Sequence, residues 1–246
     1  MCLRVEPPSR DVTVLLPAYN EAWRIEKCIK EVEHAVSALS GSFELMVAED
    51  GSKDETVSIV SRLREKDPNL VLLHSPVRLG KGCAIKQGVR TAKGAIVIFM
   101  DVDLATDLGC LPRLVSLTRE RGGMVIGSRH VAGSRVKRPA SRTFFSLVYN
   151  TFVGVLFLDG VRDHQCGFKA MTRGVARELC GRVKSDGFFF DTELILRCKR
   201  LGFPLLEMAV DWSEKRAKSE SKVRLFRDAF RMGRDLLRFK FESASR

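Results

Sequence analysis

Two hydrophobic periods alternate along the first half of the chain. Residues 12–16 (VTVLL) form an unbroken apolar run, the pattern of a strand buried on both faces. After it, Ala22, Ile25, Ile29, Val32, Val36 and Leu39 recur every three or four positions and predict a helix with one apolar stripe. Asn20 is placed to cap that helix and Gly41 to end it. Residues 43–48 predict a second strand that delivers Glu49 and Asp50 into a turn. Asp54 then caps a helix carrying Val57, Val60 and Leu63, closed by Pro68. Residues 70–73 predict a third strand, 81–92 a third helix and 95–100 (AIVIFM) a fourth strand. A helix over 111–121 and a strand over 124–126 follow. Strand and helix alternating in this way predict an α/β fold with a mostly parallel, doubly wound sheet. Ligands of such sheets bind beyond the carboxyl ends of the strands. The polar clusters at 17–21, 49–52, 78–82 and 101–103 all fall at that edge.

The rest of the composition narrows the class. The 246 residues are 45% hydrophobic and 29% charged, which excludes collagen-like, disordered and polytopic membrane proteins. A net charge of +12 favours a polyanionic partner: nucleic acid, an anionic membrane or a phosphorylated substrate. The seven cysteines are scattered, with no C-x-x-C pair, as expected of reduced thiols. The polar start shows no signal-peptide pattern. Residues 143–158 (TFFSLVYNTFVGVLFL) are too short to span a bilayer and contain Asn150, leaving a buried helix or one lying in the membrane interface. No linker or repeat interrupts the chain. We expect an N-terminal tail over 1–10, a catalytic domain over 11–212 with an interfacial helix at about 141–158, and a basic amphipathic extension over 213–246.

Candidate chemistry sits at the strand ends. Asp101 and Asp103 place two carboxylates on one side of an extended segment directly after an apolar strand, a donor pair suited to a hard cation such as Mg²⁺ or Mn²⁺. Asp50 can accept a hydrogen bond from a base or ribose, or be satisfied by nearby backbone amides. Lys81, between Gly80 and Gly82, can reach a phosphate. There is no Walker A loop, and no G-x-G-x-x-G follows the first strand, which counts against a dinucleotide dehydrogenase.

Taken in order, PAYNE (17–21), AEDGSKDET (48–56), RLGKGCAIKQG (78–88), DVD (101–103), GSR (127–129), RDHQCGFKA (162–170), FFFDTEL (188–194), VDW (210–212) and SKV (221–223) form a series. The series resembles family 2 glycosyltransferases of the GT-A fold. More narrowly, it is similar to the polyprenyl-phosphate glycosyltransferases, the dolichyl-phosphate glucosyltransferase and mannose synthase group. The resemblance implies inverting transfer of one hexose from a nucleotide sugar to a polyprenyl phosphate. It places Pro17, Ala18, Tyr19, Glu21, Asp50, Lys81, Asp101, Asp163 and Gln165 around the nucleotide sugar, and Asp101 and Asp103 on the metal. Arg129, Arg142 and Lys222 match positions that grip phosphate, and Asp191 and Glu193 match the acidic position that serves as base in hydroxyl-accepting relatives. Gly167 and Phe168 are expected to be structural. Ala105 stands where mannose synthases often carry Gln, and DHQCGFK resembles the glucosyltransferase side, so UDP-glucose is the first expected donor and GDP-mannose the second. The Q-x-x-R-W signature of processive synthases is absent.

Between residues 122 and 158 no acidic residue occurs, while Arg129, Arg135, Lys137, Arg138 and Arg142 precede the apolar run. With the basic, striped tail (Leu225, Ala229, Met232, Leu236, Phe239), this predicts a peripheral enzyme on the cytoplasmic face of a membrane. Two other readings remain at this point. One is a soluble family 2 enzyme acting on a sugar or protein hydroxyl with Asp191 or Glu193 as base. The other is a basic nucleic-acid-binding module, for which no recognition motif is visible and which leaves D-x-D unexplained, so nucleic acid is not an expected partner.

Overall fold

The computed structural model describes residues 7–215 and 225–242, the last of these as helix backbone alone up to residue 231. A seven-stranded sheet runs through the molecule in the order β3-β2-β1-β4-β7-β5-β8. Its first four members, β1 (Arg10–Ala18), β2 (Phe43–Asp50), β3 (Leu70–Ser75) and β4 (Gly94–Met100), are parallel and joined by the crossover helices α1 (Ala22–Ser37), α2 (Thr56–Arg64) and α3 (Lys81–Thr91). All eight residues of β2 are buried, consistent with its place inside a parallel sheet. β5 (Met124–Ser128) follows α4 (Leu111–Arg121) but does not pair with β4. Between them lies β7 (Phe168–Thr172), antiparallel to both, and β8 (Leu205–Ala209) closes the other edge. This is the α/β arrangement of the GT-A fold.

Two apolar layers sandwich the sheet. One packs the α1 stripe (Ile25, Ile29, Val32, Val36) and α4 on one face; the other packs α3, α6 (Arg173–Arg182) and α7 (Phe190–Arg200) on the opposite face. A small second sheet pairs β6 (Arg135–Lys137) with β9 (Asp211–Ser213). Trp212 of β9 also bridges Thr106, so the segment after D-x-D is fastened to residues 135–137 through β9.

Two helices stand apart from the sandwich. α5 (Ala140–Phe157) buries only Asn150 and Val153 fully, which excludes the core-helix reading of this apolar run. α8 (Leu225–Glu242) packs back on α5 and α7 through Leu236 and Phe239, which join Val153, Phe189 and Leu196 in a third apolar cluster. The Phe239 ring lies 5.8 Å from Phe157 and 6.2 Å from Phe189, edge to face, and the Arg200 guanidinium stacks on it at 3.7 Å. No described helix is long and apolar enough to cross a membrane.

The start of α1 differs from the expected Asn20 cap. Asn20 sits before the helix at φ +52 and bonds the 52–53 loop: its N–H donates to Ser52 Oγ and its Oδ1 accepts from Lys53 N–H. The capping oxygen belongs to Asp54, whose Oδ2 accepts from Ala22 N–H while its Oδ1 takes Thr56 N–H. One carboxylate thus ties the first turns of two helices together, and those bonds hold its pKa below the ordinary aspartate value against the opposing effect of burial.

Candidate active site

The carboxyl ends of the adjacent parallel strands β1, β2 and β4 lie along one edge of the sheet. Asp101 follows β4 at this edge. Val102 is buried, while Asp101 and Asp103 are both partly exposed. The segment is a tight turn rather than the extended stretch expected: Asp101 C=O accepts from Leu104 N–H, and Leu104 has φ +51. A bulky residue in the left-handed region costs about 1–3 kcal/mol and concentrates at sites where geometry is used. Asp103 Oδ1 accepts from Ala105 N–H.

Lys81, at the first turn of α3, reaches across to this turn. Its Nζ lies 2.9 Å from Asp101 Oδ1 and 3.3 Å from Asp191 Oδ2. Burial opposes its charge, but the two carboxylates outweigh it and raise its pKa above that of a free lysine. Asp191 in turn pairs through Oδ1 with Lys169, a fully buried lysine at the second position of β7. Despite burial, the Lys169 and Lys81 ammonium groups hold the Asp191 carboxyl below its ordinary pKa. Two lysines and two aspartates thus form one alternating chain of charge.

Backbone approach sets this up. A Cβ at Gly80 (φ +114) would run into the Asp186 carbonyl, and one at Gly82 would overlap the Phe190 ring. The two glycines therefore let α3 meet the 186–190 loop, bonded there by Gly82 N–H to Asp186 C=O. Gly167 is structural, as expected: its carbonyl accepts from Asp101 N–H, and a Cβ there would strike the Asp101 carboxylate.

On the β1–β2 side, Pro17 and Ala18 pair in register with Ala48 and Glu49, and the Arg78 guanidinium lies 3.9 Å from the Tyr19 ring centroid. Asp50 spends both carboxylate oxygens on the 79–80 turn, accepting from Leu79 N–H at 2.7 Å and Gly80 N–H at 2.9 Å. Burial lifts its pKa, with those amides opposing. Of the two roles open to Asp50, the structure shows amide satisfaction: it holds the loop that carries Lys81. Glu21 is buried and pairs with Arg24 at 3.2 Å, and its N–H donates to Thr56 Oγ1.

On the β5 side the expected sugar contact Asp163 is instead fully buried against Arg129. Its oxygens accept from Arg129 Nε at 2.7 Å, Nη2 at 2.8 Å and backbone N–H at 2.9 Å. Burial works against both charges, yet the pair pushes the Asp163 pKa far down and the Arg129 pKa up. Gln165 donates to Thr192 Oγ1 at 2.7 Å, and Tyr149 Oη of α5 shares that hydroxyl at 2.7 Å, linking α5 to α7. Arg142 pairs with Glu214 at 2.6 Å. Trp212 lies beneath this corner, with the guanidinium carbons of Arg129 and Arg138 at 5.5 and 5.8 Å from its ring.

One expectation changes here. Glu193 is buried and accepts from Lys184 N–H, Ser185 N–H and the Arg197 guanidinium, so it holds the 184–185 turn and is no candidate base. Lys222 lies outside the described residues. Sequence reasoning missed Lys169, whose signal was a lone lysine inside the strand FKAMT, and Arg138, which it counted only as one of a basic run.

From this corner α5 leads away with a bare apolar face. Phe144, Phe145, Val148 and Val155 are each at least half exposed, continued by Leu158 at 87% exposure and by Phe241 of α8 at 68%. An apolar patch of this kind beside a cluster of arginines suits an interface with lipid.

Residues 13–180 match the family model Glycosyl transferase family 2. The glycosyltransferase AglD of Haloferax volcanii is 40% identical over 93% of this chain, which spans only 36% of that protein. The dolichyl-phosphate beta-glucosyltransferase of Dictyostelium discoideum is 32% identical, covering 94% of this chain and 74% of its own length. Among solved structures, glucosyl-3-phosphoglycerate synthase from Mycobacterium tuberculosis, in complex with Mn²⁺, UDP and phosphoglyceric acid, shares the fold with a TM-score of 0.66 at 24% identity, over 93% of this chain and 76% of that one.

Proposed function

The chain belongs to glycosyl transferase family 2, and on that footing we propose that it transfers glucose from UDP-glucose to the phosphate of a polyprenol such as dolichol, with inversion. The observation that carries the acceptor is one of placement. Arginines 129 and 138 lie beside Trp212, and Arg138 and Arg142 sit at the start of α5, whose apolar face is exposed. A phosphate held there has its hydrocarbon chain directed along a lipid-facing helix. The kinship to dolichyl-phosphate beta-glucosyltransferases supports the same reading.

The donor side is suited to a nucleoside diphosphate. Tyr19, stacked with Arg78, offers a flat face to a base, and Lys81 places an ammonium group beside Asp101 of D-x-D. No group of three or more His, Cys, Asp or Glu side chains that could hold a metal exists among the described residues. The two oxygen-only ligands Asp101 and Asp103 nevertheless fit Mg²⁺ or Mn²⁺, because such ions take one or two carboxylates and complete their shell with water and substrate phosphates. When bound, the ion supplies charge neutralisation for the departing diphosphate.

An acceptor phosphate is ionised at neutral pH and needs no base. Its oxygen forms the new bond to the anomeric carbon as the bond to the diphosphate breaks, and UDP leaves. The protein's part is in-line positioning and stabilisation of the leaving charge. Asp191 does not act as base here. Clamped between Lys169 and Lys81 with a lowered pKa, it is a weak proton acceptor that keeps Lys81 beside Asp101. This argues against the hydroxyl-accepting alternative, as does the engaged Glu193.

The exposed face of α5 and the basic residues around it support a peripheral position on the cytoplasmic face of a membrane. The test is transfer of radiolabel from a panel of nucleotide sugars to polyprenyl phosphate, counted in the organic phase. Label from UDP-glucose, lost with EDTA and in Asp103→Ala, is expected. Nucleotide-sugar binding without organic-phase label from any donor would refute the lipid acceptor.

A further inference from the structure

The arginines of the acceptor corner are not equivalent. Arg129 is neutralised by a bidentate pair with buried Asp163, Arg142 by Glu214 and Arg135 by Asp211. Arg138 has no such carboxylate among the described residues. Its Nε donates to Thr143 Oγ1 at 3.0 Å, but its Nη2 is cut off from solvent and meets no hydrogen-bond partner there. Burial and then the neighbouring Arg129 charge depress its pKa, so the folded chain carries this cation at a cost. A buried donor left unmatched is costly enough that native proteins seldom keep one without use.

The surroundings say what would match it. The guanidinium carbons of Arg138 and Arg129 lie 5.8 and 5.5 Å from the Trp212 ring, whose strand is bonded to residues 135–137 and bridged to Thr106, just past D-x-D. The unmatched donor is thus tied through Trp212 to the segment that follows D-x-D, and it immediately precedes the exposed helix α5. Of the four arginines here, Arg138 alone has no carboxylate partner among the described residues, and it presents a planar fork suited to phosphate oxygens.

We propose that Arg138 is the residue that takes the acceptor's phosphate monoester, with Arg129 and Arg142 as carboxylate-braced flanks and Trp212 as the platform that positions Arg138 beside Arg129. This rests on the acceptor reading above and sharpens it. Arg129 and Arg142, the two arginines singled out by the motif series, hold the corner's shape, and Arg138 supplies the unspent charge.

The test uses the full chain with Trp23→Phe, which leaves Trp212 as the sole tryptophan. Its fluorescence is titrated with a C55 polyprenyl phosphate in detergent, with the matching alcohol, and with inorganic phosphate. Steady-state kinetics run in parallel. In Arg138→Met, affinity and KM for polyprenyl phosphate should worsen about 10- to 100-fold, the loss of one charge-assisted hydrogen bond. KM for UDP-glucose and kcat at saturating acceptor should hold within about twofold. Arg138→Lys, which keeps charge without the fork, should fall between. Thermal stability of Arg138→Met should be unchanged or higher, because an unmatched buried charge has gone; a structural arginine would lower it. Unaltered acceptor KM in Arg138→Met, with wild type active on polyprenyl phosphate, overturns the assignment. If wild type instead glucosylates only a water-soluble phosphorylated acceptor and Arg138→Met raises that KM, the lipid reading fails while the role of Arg138 stands.

Discussion

Asp191→Asn separates a charge clamp from a catalytic base. The substitution keeps the shape and removes one negative charge from between Lys81 and Lys169. Lys81 retains Asp101 at 2.9 Å, so the loss falls on Lys169, which is fully buried. Stranding one member of a buried pair costs about 3–5 kcal/mol. The folded chain has an escape, releasing the ammonium proton at about 1.4 kcal/mol for each pH unit below a free lysine's value of about 10.4. That caps the penalty near 4.6 kcal/mol at pH 7 and near 1.2 kcal/mol at pH 9.5, both as rough upper values. The sign follows: the unfolded variant binds the proton that the folded variant has shed, so the variant gains stability as pH rises toward 10. Urea denaturation at pH 7, 8 and 9 should show the deficit against wild type smallest at pH 9, shrinking by at most about 1.4 kcal/mol per unit as the proton is released. Adding Lys169→Met should bring the pH 7 value back to within about 1 kcal/mol of wild type, since an apolar replacement of a buried pair is often neutral. A deficit that does not change with pH, or near-wild-type stability with abolished turnover, would refute the clamp and return Asp191 to the role of base.

Three further outcomes are expected. Gly167→Ala drives a methyl group into the Asp101 carboxylate, and transfer should fall about 100-fold, as for a displaced catalytic group; Mn²⁺ binding followed by electron paramagnetic resonance should weaken while circular dichroism stays native. Tyr19→Leu removes the ring under Arg78 and should raise the donor KM about two- to fivefold, from a contact of about 0.5–1 kcal/mol, with acceptor KM unchanged. Phe144→Asp with Phe145→Asp should lower partitioning onto anionic liposomes by at least about tenfold in a sedimentation assay, given about 1.5–3 kcal/mol for each fully buried aromatic, and leave the donor KM alone.

The parallel half of the fold was legible because its signals are local. The run at 12–16, the α1 stripe and the run at 95–100 each report on their own burial; the two runs lie within the observed β1 and β4, and the stripe lies within α1 except for Leu39, two residues past its end. The helix expected over 111–121 coincides with α4. β7 was not legible, since FKAMT is five residues long with a charge at its second position, and its partner residues in β4 lie about seventy positions earlier. The same divide runs through the site. The order of motifs located the residues of the site, because each motif sits at the end of an element with its own pattern. The tasks of its carboxylates were hidden, because each is decided by a distant donor: Leu79 and Gly80 for Asp50, Arg129 for Asp163, Lys169 for Asp191. Two of the three donors to Glu193 are backbone amides, which carry no mark in a sequence. The Asn20 cap failed for the same reason, as Asp54 arrives from another loop.

The insertion of β7 between β4 and β5 also dictates an order of assembly. β3, β2, β1 and β4 find all their mutual partners within residues 10–100, so this half of the sheet can zip as soon as that stretch exists. β5 cannot join it: both of its neighbours, β7 and β8, come later in the chain. At a synthesis rate of roughly 5–20 residues per second, the open edge of β4 waits several seconds for β7 to arrive. During that interval it is a row of unpaired N–H and C=O groups on an apolar strand, the part of a nascent sheet most exposed to pairing with a second chain. The cradle for the nucleotide is thus shaped first and the corner for the phosphate last, and chaperone protection on the ribosome matters most while residues 101–167 are being made.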